Sequence, residues 1–390
     1  MYYNRSLIIT AALLFSGCTS AEMQRTVNLT RGISNFDTMS SAQKVRFIAS
    51  QDATLAQYLD IEKLFEKKLA AFLAEATLAE ATREWGKAPK QATQKQYVKY
   101  TQHYRSRAEV DFGTRQVTVE TIDPEAPLKS LKEAITTTLL TPYDPTRVDL
   151  HSDKEVQLGA EPFLYRQVLD SDKQPIRWRW RAERYADYLI EHGLKTRKLN
   201  GRTVRYVTFG MEPSSVNTVA APYRDIVLQQ SKRFGISPAL IYAVIEVESG
   251  FNPYAISHVP AYGLMQIVPK TAGRDSWKFL HGKDRIPTAS YLYDANNNIE
   301  MGTAYLHLID SRYLASIRHP LSREYCMVAA YNTGSGNVLG TFHPNDRQKA
   351  ADVINAMEPE AVYAKLRQKL PYDETRRYVA KIKEAKRRYL

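Results

Sequence analysis

Cysteine is nearly absent from this chain, with two in 390 residues, Cys18 and Cys326. That count leaves no room for a disulfide framework. There is no HExxH and no cluster of Cys and His at ligand spacing, so neither a metal nor another cofactor is expected. His258 and His281 read as loop residues. Internal repeats and low-complexity tracts are missing too. The apolar run from Leu7 to Phe15 is too short to span a bilayer as a stable helix. What is present is an ordinary globular composition, 44% hydrophobic and 25% charged, enough for two or three domains. The net charge of +12 calls for a polyanionic partner: nucleic acid, an anionic membrane face or a carboxylate-rich polymer.

The N-terminus narrows that choice. MYYNRSLIITAALLFSGC carries Arg5, the apolar run and then small residues, the three regions of an export signal over residues 1–17. Phe15-Ser16-Gly17-Cys18 resembles a bacterial lipobox, with Phe15 where Leu is usual. The resemblance implies a lipid anchor on Cys18, and Thr19 after it implies sorting to the outer membrane, facing the periplasm. Stable anchoring needs more than one acyl chain. A plain secretory signal with an incidental cysteine is the alternative. Either form of export removes nucleic acid as a partner. Cys326, in EYCMVAAY with apolar neighbours, reads as a core thiol.

Residues 18–40 are polar and weakly periodic, a tether. Residues 41–212 read as an α+β domain. Ile61, Leu64, Phe65, Leu69, Phe72, Leu73 and Ala76 recur at helical spacing in a pattern running from Ser41 to about Trp85. Strands are expected at Tyr97–Phe112 and Arg115–Ile122, turning at Gly113, followed by a helix near Leu128–Leu139. Lys195–Leu199 and Arg202–Phe209 flank Asn200-Gly201, a hairpin signal. RWRWR at Arg177–Arg181 alternates as a strand would, its tryptophans facing a core or a sugar. Gly210 to Pro222 reads as a linker. From Tyr223 onward strand signals vanish, and residues 213–390 form a mainly α domain.

Within that domain, Ser237-Pro238 is a helix start, with Ser as the cap. Ile241, Val244, Ile245 and Glu248 follow at i, i+3, i+4 and i+7, on one face. Gly250 and Asn252-Pro253 end the helix. A carboxylate on the apolar stripe is then disfavoured twice, by burial and by the negative end of the helix dipole. Both raise its pKa, as a general acid requires. Glu246 lies about 200° around the helix and cannot converge on the same atom. Taken alone, Glu248 could equally be a partly exposed helix-end glutamate.

Four motifs occur in order: ESGFNP at Glu248–Pro253, GLMQ at Gly263–Gln266, AYN at Ala330–Asn332 and ETRRYV at Glu374–Val379. Together they resemble the catalytic core of the lytic transglycosylases of the Slt type. The resemblance covers the last 170 residues or so and implies a lysozyme-like fold. It makes Glu248 the sole catalytic acid/base, with Ser257 orienting its carboxyl. Gly263, Leu264, Met265 and Gln266 would form part of the saccharide wall, Tyr331 and Asn332 would flank the cleavage subsite, and Tyr378 would point its hydroxyl at Glu248. Two places depart from the family pattern. Val259-Pro260-Ala261 stands where Ala-Gly-Ala is common, and proline fixes a φ that glycine leaves free. Thr333 and Ser335 enlarge positions that are commonly Gly or Ala.

Most glycosidases flank the bond with two carboxyls, but no second acid lies on the Glu248 face or in the following loop. The resemblance therefore implies cleavage of the β-1,4 bond between N-acetylmuramic acid and N-acetylglucosamine in peptidoglycan, closing a 1,6-anhydro ring, with exo or endo action left open. A hydrolytic muramidase of the same fold and a non-catalytic wall-binding lipoprotein are the alternatives. The excess positive charge suits the carboxylates of murein. The basic tail RRYVAKIKEAKRRYL would run along that polymer or form a solvated helix face.

Overall fold

The computed structural model describes residues 77–150, 152–213, 219–257 and 261–390. The export signal, Cys18, the tether, the helical pattern from Ile61 to Ala76, and His258, Val259 and Pro260 lie outside the described residues.

Five antiparallel strands make one sheet: β1 (Gln96–Thr101), β2 (Ser106–Asp111), β3 (Gln116–Thr121), β4 (Lys195–Leu199) and β5 (Arg202–Gly210), in the order β1-β2-β3-β5-β4. The strand expected over Tyr97–Phe112 is in fact a hairpin. Gln102, His103 and Tyr104 all take left-handed backbone, with φ of 56°, 56° and 61°, and no Gly or Pro announces that turn. The second hairpin forms as its Asn-Gly signal requires, with φ of 49° at Asn200 and 78° at Gly201.

Strand alternation divides the side chains between two cores. On one face Tyr97, Val110, Val117 and Val207 pack with Leu131, Ile135 and Leu139 of α1 (Pro127–Leu140) and with Ala182, Ala186 and Leu189 of α2 (Arg179–Gly193). On the other, Val98, Tyr100 and Val204 meet Ala81 and Trp85, which belong to a helical stretch. There Arg107, only 2% exposed, pairs with Glu120 at 2.7 Å and stacks its guanidinium 3.8 Å above the Trp85 ring. The RWRWR segment is not a strand. Trp178 is the N-cap of α2, and both Trp178 and Trp180 are exposed, because the alternation breaks where the helical spacing of Ala182, Tyr185, Ala186 and Leu189 begins.

The second half is helical: α3 (Arg224–Phe234), α4 (Pro238–Glu248), α5 (Arg274–His281), α6 (Ala295–Leu308), α7 (Pro320–Thr333), α8 (Arg347–Asn355), α9 (Pro359–Lys369) and α10 (Asp373–Arg387), with shorter turns between them. The chain thus runs from an α+β layer into a mainly α domain. The end of the expected linker is not loose, since Val219 and Ala220 are buried in the helical core. Cys326 is a buried free thiol.

Helix α4 runs through the middle of this core. Every residue from Ala239 to Ile245 is buried, so it has no solvated face over those two turns and the four-residue stripe understates its burial. Ser237 stands at its N-cap but makes no side-chain cap bond; its carbonyl accepts from the amides of Leu240 and Ile241 at 3.0 and 3.1 Å. Helix α10 packs along α4, burying Tyr378, Val379, Ile382 and Ala385. Three basic side chains of the tail are tied down: Lys383 bonds Glu360 at 3.0 Å, Lys386 bonds Glu324 at 2.5 Å and Arg388 bonds Glu246 at 2.5 Å.

Candidate active site

Glu248 is the last residue of α4. Beyond it Ser249 caps the helix, its hydroxyl donating to the Ile245 carbonyl at 3.0 Å and accepting from the Phe251 amide at 3.2 Å. Gly250 and Phe251 both take left-handed backbone, with φ of 65° and 66°, and turn the chain sharply. Glycine is required at 250 on a second count: a Cβ there would stand 3.0 Å from the Cβ of Phe112. Tyr254 then leaves the helical domain altogether. It is fully buried in the sheet-domain core, its ring 5.0 Å from Tyr97 and 5.4 Å from Phe163, and its hydroxyl donates to the Pro142 carbonyl. The turn that follows Glu248 is therefore anchored in the α+β layer.

The Glu248 side chain is partly open to solvent but densely surrounded by protein. Burial pushes its pKa up to about 7 from an ordinary 4.5. Against burial act the Tyr378 hydroxyl and the Lys95 ammonium, both of which favour the anion, while the Glu374 carboxylate favours the acid. Tyr378 is buried and its hydroxyl makes no hydrogen bond of ordinary geometry. It nevertheless lies close enough to Glu248 for each to shift the other, and the Tyr378 pKa is raised by burial and then by the glutamate. Tyr331 is raised in the same way, by burial and then by Glu248. Glu246 turns elsewhere and accepts from the Tyr389 hydroxyl at 2.6 Å besides its Arg388 pair.

The four motifs are tied to one another through side chains. The Tyr331 hydroxyl donates to the Met265 carbonyl at 2.8 Å, joining AYN to GLMQ. The Thr375 hydroxyl donates to the Asn332 side-chain oxygen at 2.6 Å, joining ETRRYV to AYN. Tyr378 beside Glu248 joins ETRRYV to ESGFNP. Within GLMQ the side chains divide. Leu264 and Met265 are 1% and 0% exposed, with their side chains in the helical core. Gln266 takes a left-handed φ of 49° and donates to the Gly263 and Ala255 carbonyls at 2.9 and 3.3 Å, leaving its buried Oε1 without a partner. The Ser257 hydroxyl accepts from the Ala261 amide at 3.3 Å.

Three groups around the site have roles that the sequence does not announce. Asn298 of α6, fully buried, accepts from the Met265 amide at 2.8 Å and donates to the Tyr262 and Leu292 carbonyls at 2.8 and 2.7 Å. Its signal in the sequence is weak, since it is the last of three consecutive asparagines, Asn296, Asn297 and Asn298, ahead of Ile299. Glu374, the first residue of ETRRYV, is a second carboxylate within electrostatic reach of Glu248, remote from it in sequence. Lys95 reaches the site from the sheet domain and has no sequence signal at all. Among the described residues, no group of three or more His, Cys, Asp or Glu is placed to hold a metal.

Known proteins resemble the chain over both halves. Residues 60–221 match a family model described as the N-terminal domain of membrane-bound lytic murein transglycosylase C, and residues 225–354 match the transglycosylase SLT domain. The ETRRYV motif lies beyond that second match. Membrane-bound lytic murein transglycosylase C of Photorhabdus laumondii is 46% identical over 296 residues, which cover 76% of this chain and 82% of the relative. The protein of the same name from Yersinia pestis is 43% identical over the same shares. The 70 kDa soluble lytic transglycosylase of Escherichia coli aligns at 25% identity over 43% of this chain and 24% of its own, with a TM-score of 0.34, too low to bear on the fold.

Proposed function

The chain belongs to the membrane-bound lytic murein transglycosylase C family, and from that premise we propose that Glu248 is its single catalytic acid and base. The family cleaves peptidoglycan by transglycosylation, and this chain is a peptidoglycan lytic transglycosylase that associates with a membrane. The observation that carries the role of Glu248 is its place at the end of α4 beside Tyr378, on a half-buried residue where burial pushes the carboxyl pKa up to about 7. Such a group holds a proton at neutral pH and can release it and take it back.

In this reading, protonated Glu248 gives its proton to the glycosidic oxygen as the bond from the muramoyl C1 breaks. The 2-acetamido group of the sugar stabilises the cationic centre, in place of a second carboxylate. The Glu248 carboxylate then takes the proton from the muramoyl 6-hydroxyl while that oxygen bonds to C1. A 1,6-anhydro ring closes, no water is consumed and the acid is restored. Tyr378 and Tyr331 shape the field around the carboxyl. Gln266 offers its unpartnered Oε1 to a sugar amide or hydroxyl, Asn332 and Ser257 flank the bound strand, and Gly263, Leu264 and Met265 contribute backbone. Residues 1–17 direct export, Cys18 carries the lipid that holds the protein to the outer membrane, and residues 18–40 give the enzyme reach into the periplasm.

The test is mass analysis of purified sacculi digested by the wild type and by Glu248→Gln. The wild type should release muramoyl ends one water lighter than hydrolysis gives. The variant should release none and still sediment with sacculi. Muramoyl ends bearing the added water would make the enzyme a muramidase, and near-normal turnover by the variant would remove Glu248 from the mechanism.

A further inference from the structure

We propose that Lys95 of the α+β layer is a positioning residue for the Glu248 carboxyl, so that the sheet domain completes the catalytic centre of the helical domain.

The geometry begins with the backbone. Lys95 stands just ahead of β1, and its carbonyl accepts from the Phe112 amide at 2.8 Å, fixing it beside the end of β2. From there its ammonium donates to the Glu246 carbonyl at 3.2 Å. That carbonyl lies two residues before Glu248 and also accepts from the Gly250 amide at 3.0 Å, so Lys95 grips the last turn of α4. The neighbouring Gln94 carbonyl accepts from the Asn252 side-chain amide at 3.1 Å, and Phe112 abuts Gly250. Residues 246, 250 and 252 are thus all held by one edge of the sheet domain, and Glu248 sits among them. A cation is also the favourable charge at the C-terminal end of a helix, where carbonyls lack intrahelical partners.

The ammonium does more than hold a turn. The charges facing it are Glu248 and Glu246 of α4, Asp111 of β2 and Lys381 of α10, and burial with Lys381 lowers its own pKa while the three carboxylates raise it. Around Glu248, Lys95 and Tyr378 favour the carboxylate while burial and Glu374 favour the acid. Without Lys95, burial would have one opponent fewer, and the carboxyl would hold its proton to higher pH. Lys95 therefore helps keep Glu248 near neutrality, where one group can serve first as acid and then as base.

The proposal rests on Glu248 being the acid, and the experiment separates the two claims. The pH dependence of anhydro-product formation from soluble murein fragments is measured for the wild type and for Lys95→Gln, Lys95→Met, Lys95→Arg and Glu248→Gln, each beside its thermal midpoint. Gln keeps a hydrogen-bond donor but carries no charge. Lys95→Gln and Lys95→Met should both move the alkaline limb to higher pH, raising the ratio of activity at about pH 8 to that at about pH 6 on the order of 3-fold. Lys95→Arg should restore the wild-type limb. An unmoved limb in Lys95→Gln, or failure of Arg to restore it, overturns the role of Lys95 provided Glu248→Gln is inactive at every pH. If Glu248→Gln turns over, it is the reading of Glu248 that fails.

Discussion

The hydroxyl of Tyr378 is buried beside the carboxyl of Glu248, and the two come from helices 130 residues apart in the chain that pack along one another. The phenol has no well-formed bond in the resting protein, and its effect on the glutamate is to favour the anion. An enzyme whose acid becomes a carboxylate during the reaction gains from a donor already aimed at it. Tyr378→Phe should therefore lower kcat by roughly 10- to 100-fold. Because the hydroxyl lost is buried and unpaired, folding stability should change little or rise. Steady-state kinetics alongside denaturant unfolding would check both halves; a large loss of stability would make Tyr378 a structural residue.

Gly263 is the first residue of GLMQ and has φ of +72°. A Cβ there would lie 2.4 Å from Asn298 Nδ2 and 2.5 Å from the Leu292 carbonyl. Neither neighbour can yield, since Asn298 is fully buried and holds the Met265 amide, whose residue in turn receives the Tyr331 hydroxyl. Gly263→Ala should cost roughly 2 kcal/mol or more of stability and displace Tyr331 along with GLMQ. Urea unfolding measures the first effect. A variant of wild-type stability and wild-type kcat would show that this turn does not hold the site.

Local sequence chemistry sufficed where it decides the backbone. Pro238 and Gly250 bound α4, Asn200-Gly201 makes its hairpin, and the four motifs locate the cluster around Glu248. It failed where the deciding partner is distant. The left-handed turn at Gln102–Tyr104 contains no residue that demands it. RWRWR alternates like a strand, yet the packing of α2 against α1 takes it into a helix. Leu264 and Met265 sit inside a functional motif, and only the fold shows that their side chains serve the core. Lys95, 153 residues before Glu248 in this numbering, could not be joined to it by any spacing rule, because a contact between two domains leaves no periodicity in either.

Anchoring can be tested apart from catalysis. With Cys18 as the lipidated residue, Cys18→Ser should remove the protein from the outer-membrane fraction, leaving it soluble in the periplasm or held at the inner membrane by its uncleaved signal, since an export signal cannot substitute for the acyl chains. Turnover of murein by purified protein should be unchanged, as the site is built from Lys95 and residues 248 to 378. Separation of inner and outer membranes reads the first outcome, and unaltered outer-membrane retention of the Ser variant would assign the membrane association to something other than Cys18.

The pKa of Glu248 also makes a statement about stability, and its sign can be worked out. The folded value of about 7 stands above the ordinary 4.5. Between those two values the folded protein keeps a proton that the unfolded chain has released, so stability falls as pH rises through that window and levels off above it. The cost at the plateau is about 3 kcal/mol at most. Glutamine has the shape of the acid and no charge to bury. Glu248→Gln should therefore match the wild type in stability near pH 4, gain on it between about pH 5 and 7, and stay more stable at pH 8. Urea midpoints across that range give the answer, and parallel curves for the two proteins would mean that the carboxyl is not held in its neutral form by its surroundings.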